Sequence, residues 1–100
     1  MKPKSLIILS EAEQDIALGF DWYSEQQQGL GEEFLECVDA CFDKISGNPK
    51  LYPVVHESYR LALVHRFPYA VFYEETEEAV VVFAVFHSSQ NPDQWRSRLS

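Results

Sequence analysis

Positive charge is scarce in this chain and unevenly spread. There are 8 Lys and Arg against 16 Asp and Glu, a formal net charge of −8, and between Lys4 and Lys44 there is no cation at all. That balance argues against a sequence-independent grip on nucleic-acid phosphates, which depends on Lys and Arg displacing counterions. Long apolar runs are missing as well. Met1, Lys2, Pro3 and Lys4 are followed by only four apolar or β-branched residues, 6–9, before Ser10 and Glu11, too few for a signal-peptide core or a membrane span. The expectation is a cytosolic protein with no membrane partner. Cysteine is limited to Cys37 and Cys41, four apart in a stretch with helical periodicity. Such a pair lacks the second pair at ligand spacing that a zinc site needs, so it reads as two free, buried thiols in a reducing compartment. No Gly-rich phosphate loop and no Ser/His/Asp nucleophile context is present, and neither a metal nor a cofactor is expected.

What is abundant is core material. Hydrophobic residues make up 46 % and aromatics 14 % of 100 residues, enough for one compact domain over 1–100. Residues 5–9 form a short apolar run suited to a first strand. Ser10, Glu11, Ala12 and Glu13 have the form of a capping box, in which Ser10 accepts from the Glu13 amide and Glu13 reaches back. Ala12, Ile16, Phe20 and Tyr23 then repeat at steps of three and four, a single apolar stripe, with Leu18 and Trp22 off to its side. After Gln28 and Gly29 a second stripe runs through Phe34, Val38, Cys41 or Phe42, and Ile45, and Gly47, Asn48 and Pro49 read as a left-handed stop. The expected helices cover residues 11–28 and 31–46 and make an antiparallel hairpin. Ten acids between Glu11 and Asp43 make its solvent face negative, a feature that serves solubility or docks a basic partner.

The second half reads as strand. Arg60, Ala62, Val64 and Arg66 alternate with Leu61, Leu63, His65 and Phe67. Phe67 and Pro68 suggest a bend, Tyr69 to Tyr73 resume, residues 74–78 make a turn, and Ala79–His87 returns as an interior strand apolar on both faces. Asn91, Pro92 and Asp93 open a short terminal helix carrying Trp95 and Leu99. The architecture expected is α+β: an N-terminal strand, an antiparallel helical hairpin packed on a mainly antiparallel twisted sheet, and a short C-terminal helix. The hairpin can cover only one face of Ala79–His87, so the other face, either Val80, Val82, Ala84 and Phe86 or their odd-numbered neighbours, is expected to need a cover from elsewhere.

At residues 60–98 the sequence resembles the RelE/ParE superfamily of type II toxin–antitoxin toxins, and within it the ParE-like or plasmid stabilisation branch. The resemblance rests on Arg60, on the run from His65 to Tyr73, on the apolar run ending in His87, and on the run from Asn91 to Arg98. It implies a hairpin-on-sheet fold whose open side takes a segment of a small cognate antitoxin. In its absence the chain is expected to dimerise through that face. The RelE-like branch cuts mRNA on the ribosome with converging basic residues and a late Tyr, whereas the ParE-like branch is described as inhibiting DNA gyrase. Metal-free RNA cleavage needs a proton acceptor and several cations around the phosphorane. Arg60 stands where the RelE pattern has one of its basic residues, but Ala62, Ala70, Ser88 and Ser89 occupy other basic positions. The ParE pattern of His, a small residue and two Arg is here His87, Ser88, Ser89 and Gln90, ahead of Pro92 and Trp95.

The residues that carry the resemblance supply the candidates. Arg60 and His87 are the weak catalytic candidates, and Arg60, Arg66, Tyr73, His87, Trp95 and Arg98 are the candidates for partner or target binding. Arg60 and Arg66 are placed on one side of one strand. His87 reads equally as a structural hydrogen-bonding residue at a strand end, and Trp95 as a lid on the core. Three functions stay open: a ParE-like toxin acting by binding, a RelE-like ribosome-dependent nuclease, and a relative that keeps only partner binding.

Overall fold

A computed structural model describes residues 4–89 and 92–99, with the side chains of 92–95 outside the description. The chain runs β1 (Ser5–Ile8), α1 (Ser10–Gln26), α2 (Leu30–Gly47), a 3-10 turn at Pro49–Leu51, β2 (Val54–His56), β3 (Tyr59–Leu63), β4 (Tyr69–Glu75), β5 (Ala79–His87) and α3 (Pro92–Leu99). The strands form one sheet in the order β1-β5-β4-β3-β2. β1 pairs parallel to β5, and every other pairing is antiparallel. The expected α+β plan and the interior position of Ala79–His87 are both present. The apolar runs decide this: β5 must be covered on two faces and flanked on two edges, which only a central strand achieves.

The helical hairpin packs on one sheet face. Ala12, Tyr23, Phe34, Val38, Cys41, Phe42 and Ile45 meet Ala62, Val64, Val71, Tyr73, Val80, Val82 and Val85 in one buried cluster. Leu18 and Trp22, off the stripe, are 70 % and 54 % exposed. The ten acids of the hairpin lie at exposed positions, with Asp15 alone partly buried.

Local details depart from the sequence reading. Ser10 is not a cap. Leu9 takes the cap position with φ −68° and ψ 155°, and no side chain closes it. The reason is that Leu9 still belongs to the sheet: its N–H donates to Val82 O at 3.1 Å while its own carbonyl accepts from Glu13 N–H at 3.0 Å. Strand therefore passes into helix without a spacer, and Ser10 is already inside. Nor do Gly47 to Pro49 supply a left-handed stop. α2 continues through Gly47, Asn48 is at φ −151°, and Pro49 opens the 3-10 turn. The left-handed glycine is Gly29, at φ 84°, between the helices.

β3 ends at Leu63 rather than running on to Phe67. Val64 N–H donates to Tyr69 O at 2.9 Å, and Arg66 adopts φ 72°, a tight excursion that folds both Val64 and Phe67 into the hairpin-side core. Arg66 thus lies in a turn, not beside Arg60 on a strand. β4 runs on to Glu75 and the turn shrinks to residues 76–78, closed by Thr76 Oγ1 accepting from Ala79 N–H at 3.0 Å.

The two-face reading of β5 also needs correction. Phe72 pairs with Ala84 and Tyr73 with Val82, so Phe83 is an extra residue, a β-bulge. The bulge switches the parity of the strand. Val80, Val82 and Val85 face the hairpin, while Ala84 and Phe86 face away with Ala70 and Phe72. Neither the even nor the odd set is one face. The outer face is also not bare, since α3 lays Leu99, 3 % exposed, into the cluster of Ala70, Phe72, Ala84 and Phe86.

Candidate functional site

Because β1 spans only Ser5–Ile8, it leaves the second half of β5 without a neighbouring strand on that edge. Side chains finish the edge. Asp15 Oδ2 accepts from Val85 N–H at 3.0 Å, and Arg98 Nη2 donates to Phe83 O at 3.4 Å. Arg98 and Asp15 also bind each other at two points, 3.0 and 2.8 Å, with the guanidinium 5.0 Å from the Phe86 ring centre. Arg98 is therefore tied into the body of the protein, linking α3 to α1.

Arg60 and Tyr73, opposite each other on β3 and β4, act together on the 3-10 connector. Arg60 Nη1 donates to Tyr52 O at 2.5 Å and to Lys50 O at 3.4 Å, and the Tyr73 hydroxyl donates to Pro49 O at 2.5 Å. Tyr73 is wholly buried. Burial pushes its phenol up to about 12, with the Arg60 guanidinium acting more weakly in the opposite direction. Arg66 forms an exposed pair with Glu33 at 3.6 Å. His87, last in β5, sits against Tyr69 with ring centres 5.2 Å apart. Its Nδ1 accepts from the Ser89 N–H at 3.1 Å, with Ser89 Oγ at 2.6 Å. A backbone N–H aimed at Nδ1 makes that nitrogen the acceptor and leaves the ring proton of the neutral form on Nε2. The side chain of Trp95 lies outside the described residues.

The structure thus brings the sequence candidates to three separate places: Arg60 and Tyr73 at the connector, Arg66 at the hairpin end, and His87 and Arg98 around the far half of β5. Among the described residues no three His, Cys, Asp or Glu side chains are grouped to hold a metal ion. Cys37 and Cys41 are free thiols, and burial pushes Cys41 up to about 11. No described helix is long and apolar enough to cross a membrane.

Two open surfaces meet near the end of β5. On the outer sheet face, Leu61, Leu63, Ala70, Phe72 and Phe86 line a groove of about 130 Å³ that ends at His87 and Ser88, and Leu63 there is 67 % exposed. At the open edge of β5, Asp15, Leu18, Gly19 and Trp22 of α1 face Tyr69, Val85, Phe86 and His87 across a channel of about 370 Å³. A neighbouring cleft of about 460 Å³ shares Trp22, Tyr69 and His87 with it and is lined further by Tyr23, Pro68 and Ser89. Sequence reasoning missed Asp15, one acid among ten with nothing in its spacing to single it out. Leu18 and Trp22 did carry a signal, being apolar and off the core stripe.

A family model for the ParE toxin of type II toxin–antitoxin systems, parDE, matches residues 6–92. The chain belongs to the ParE toxin family. Toxin ParE2 of Mycobacterium tuberculosis is 26 % identical over 98 residues, covering 97 % of this chain and 93 % of the relative. Among solved structures, the chromosomal ParDE toxin–antitoxin system of P. aeruginosa matches with a TM-score of 0.63 at 14 % identity, over 84 % of this chain and 95 % of the other. A chain of the toxin–antitoxin complex RelBE2 of Mycobacterium tuberculosis matches with a TM-score of 0.60 at 19 % identity, over 90 % and 97 %. At those identities the two structures speak for the fold. This ParE-family chain is a toxin of the type II toxin–antitoxin class, of RelE/ParE fold.

Proposed function

We propose that this toxin works by binding its target rather than by cutting RNA, that the target is DNA gyrase by analogy with the ParE branch, and that a cognate antitoxin neutralises it in the cytoplasm. The observation that supports this reading is the engagement of its arginines. Arg60 is turned onto backbone carbonyls, Arg98 onto Asp15, and Arg66 onto Glu33. Metal-free cleavage of a phosphodiester needs cations free to meet a developing charge. Here those side chains would have to abandon intramolecular partners, two of them partly buried.

The antitoxin is assigned to the outer sheet face. α3 covers Ala84 and Phe86 there but leaves Leu63 in water beside an apolar groove, and the structural relatives come from toxin–antitoxin systems. An extended or helical segment with small apolar side chains would complete the cover that the hairpin gives the opposite face.

The test is induction of the chain with and without its antitoxin, followed by assays of gyrase supercoiling and of ribosome-dependent mRNA cleavage with purified protein. Growth arrest relieved by the antitoxin, with supercoiling blocked and mRNA intact, is the expected result. Cleavage of mRNA abolished by Arg60→Ala would restore the RelE-like nuclease, and absence of any growth arrest would leave a relative that keeps only partner binding.

A further inference from the structure

Helix α1 holds two large apolar side chains in water on one row. Leu18 and Trp22 are four residues apart, so they stand one turn above the other, and both line the channel that Tyr69, Val85 and His87 close from the sheet side. Trp22 is propped by Tyr23, the rings meeting edge-on with centres 5.0 Å apart, and so is presented by a buried neighbour rather than left loose. Exposed aromatic and aliphatic anchors beside an open channel are the composition of an interface centre.

The surrounding charge narrows the occupant. Asp21 is three residues from Leu18, and Glu25 is three from Trp22 and four from Asp21, so both border the anchors on the helix surface, and both are exposed. Asp15, which also lines the channel, already has Arg98. The rim contributed by α1 is therefore negative. A phosphate backbone is repelled by such a rim, and a segment bearing Lys or Arg beside an apolar anchor is attracted to it. The channel opens at the edge of β5 and adjoins the outer-face groove assigned to the antitoxin at Phe86 and His87, whereas Leu18 and Trp22 line the channel and not the groove.

We propose that the channel between α1 and the end of β5 is the toxin's target-facing dock, taking a basic protein segment that inserts an apolar side chain between Leu18 and Trp22. The proposal rests on the binding-toxin reading above and names the chemistry of the contact that reading requires. Leu18 and Trp22 are the anchors, Asp21 and Glu25 the steering charges, and none of the four lines the groove assigned to the antitoxin.

The probe is a fluorescein-labelled synthetic amphipathic peptide of about 18 residues, long enough for some helix formation, with a Leu stripe and Lys elsewhere. The same peptide with Glu for Lys is the control. Anisotropy titrations use the full-length chain, Leu18→Ser with Trp22→Ala, and Asp21→Lys with Glu25→Lys, each checked by thermal melting; all four side chains are exposed, so the second double variant stands in if the first loses its fold. The same variants are scored in cells for growth arrest and for antitoxin capture. Expected are binding of the Lys peptide only, weakened by high salt and lowered roughly tenfold or more in both double variants, with growth arrest lost and antitoxin capture kept. Equal binding by folded variants, growth arrest that survives them, or loss of antitoxin capture would each overturn the proposal. If the unmodified chain arrests no growth, the toxin reading fails, and the titrations alone then decide the channel.

Discussion

Asp15 of α1 and Arg98 of α3 lie 83 positions apart in the chain and meet in a two-point ion pair at 3.0 and 2.8 Å. The pair sits where β1 stops, and through Val85 N–H and Phe83 O it finishes the edge of β5. An edge strand left bare invites pairing with another chain. A single carboxylate thus accepts both a backbone donor and a guanidinium, and its removal strands both.

Asp15→Ala should therefore cost more than an ordinary surface ion pair. Both side chains are partly exposed, which tempers the loss, and about 2 kcal/mol is expected for a charged acceptor serving two donors. Urea denaturation measures it, and amide exchange at Val85 should quicken beyond the global change. Asp15→Asn, which keeps an oxygen for one donor, should fall between the two.

Two glycines at the hairpin turn, Gly29 and Gly31, test close packing against backbone freedom. A Cβ on Gly31 would come within 2.8 Å of the Phe20 carbonyl oxygen, a backbone atom of the facing helix that cannot step aside. Gly31→Ala should destabilise by about 1–3 kcal/mol through overpacking. Gly29 has open space but φ 84°, so Gly29→Ala should lose about 1–2 kcal/mol through the left-handed backbone alone. Thermal melts distinguish the two when combined with Ser24→Ala, which removes the Oγ that a Gly31 Cβ would meet first, relieves part of the crowding there and leaves Gly29 unaffected.

These cases show what was legible in the sequence. The hairpin stripes and the interior strand follow from periodicity, because burial of one helix face or both strand faces imposes a spacing on apolar residues. The family was legible from residues 60–98. The bulge at Phe83 was not, since a Val- and Phe-rich run is apolar at every position and shows no slip of parity. Ser10 failed as a cap because the sheet claims Leu9, a tertiary contact that a local pattern cannot reveal. Arg60 and Arg98 were legible as cations near a motif. Their partners, backbone carbonyls of a connector and one acid of ten, were not, because neither leaves a mark in spacing.

Burial of Cys41 and Tyr73 makes stability fall at alkaline pH. Cys41 is raised from 9.0 to about 11 and Tyr73 from 10.0 to about 12, desolvation being the main cause of each. Above pH 9 the unfolded chain releases the thiol proton while the folded chain retains it, so the contribution present at pH 7 is lost as pH rises through the folded values. A tenfold difference in proton affinity between the folded and unfolded chain corresponds to about 1.4 kcal/mol. Urea midpoints should hold from pH 7 to near 9 and then drop, and Cys41→Ala, though less stable at pH 7, should show a flatter decline. At pH 8 a thiol reagent should label Cys37 quickly and Cys41 only on unfolding.

Arg60 gives the sharpest separation of structure from activity. It stands where the nuclease pattern has a basic residue, yet its guanidinium binds the carbonyls of Tyr52 and Lys50 while Tyr73 holds Pro49 beside them. Together they fasten the connector between α2 and β2 to the sheet. Arg60→Ala would leave those carbonyls without their charged donor, at a cost of about 1–3 kcal/mol. Tyr73→Phe, losing one neutral hydroxyl bond, should cost about 1 kcal/mol. Because the two residues share one task, the double variant should lose less than the sum of the single losses. If binding is the mode of action, folded Arg60→Ala protein should still arrest growth at a temperature well below its melting point. A variant as stable as the parent but unable to arrest growth would place Arg60 at the target instead.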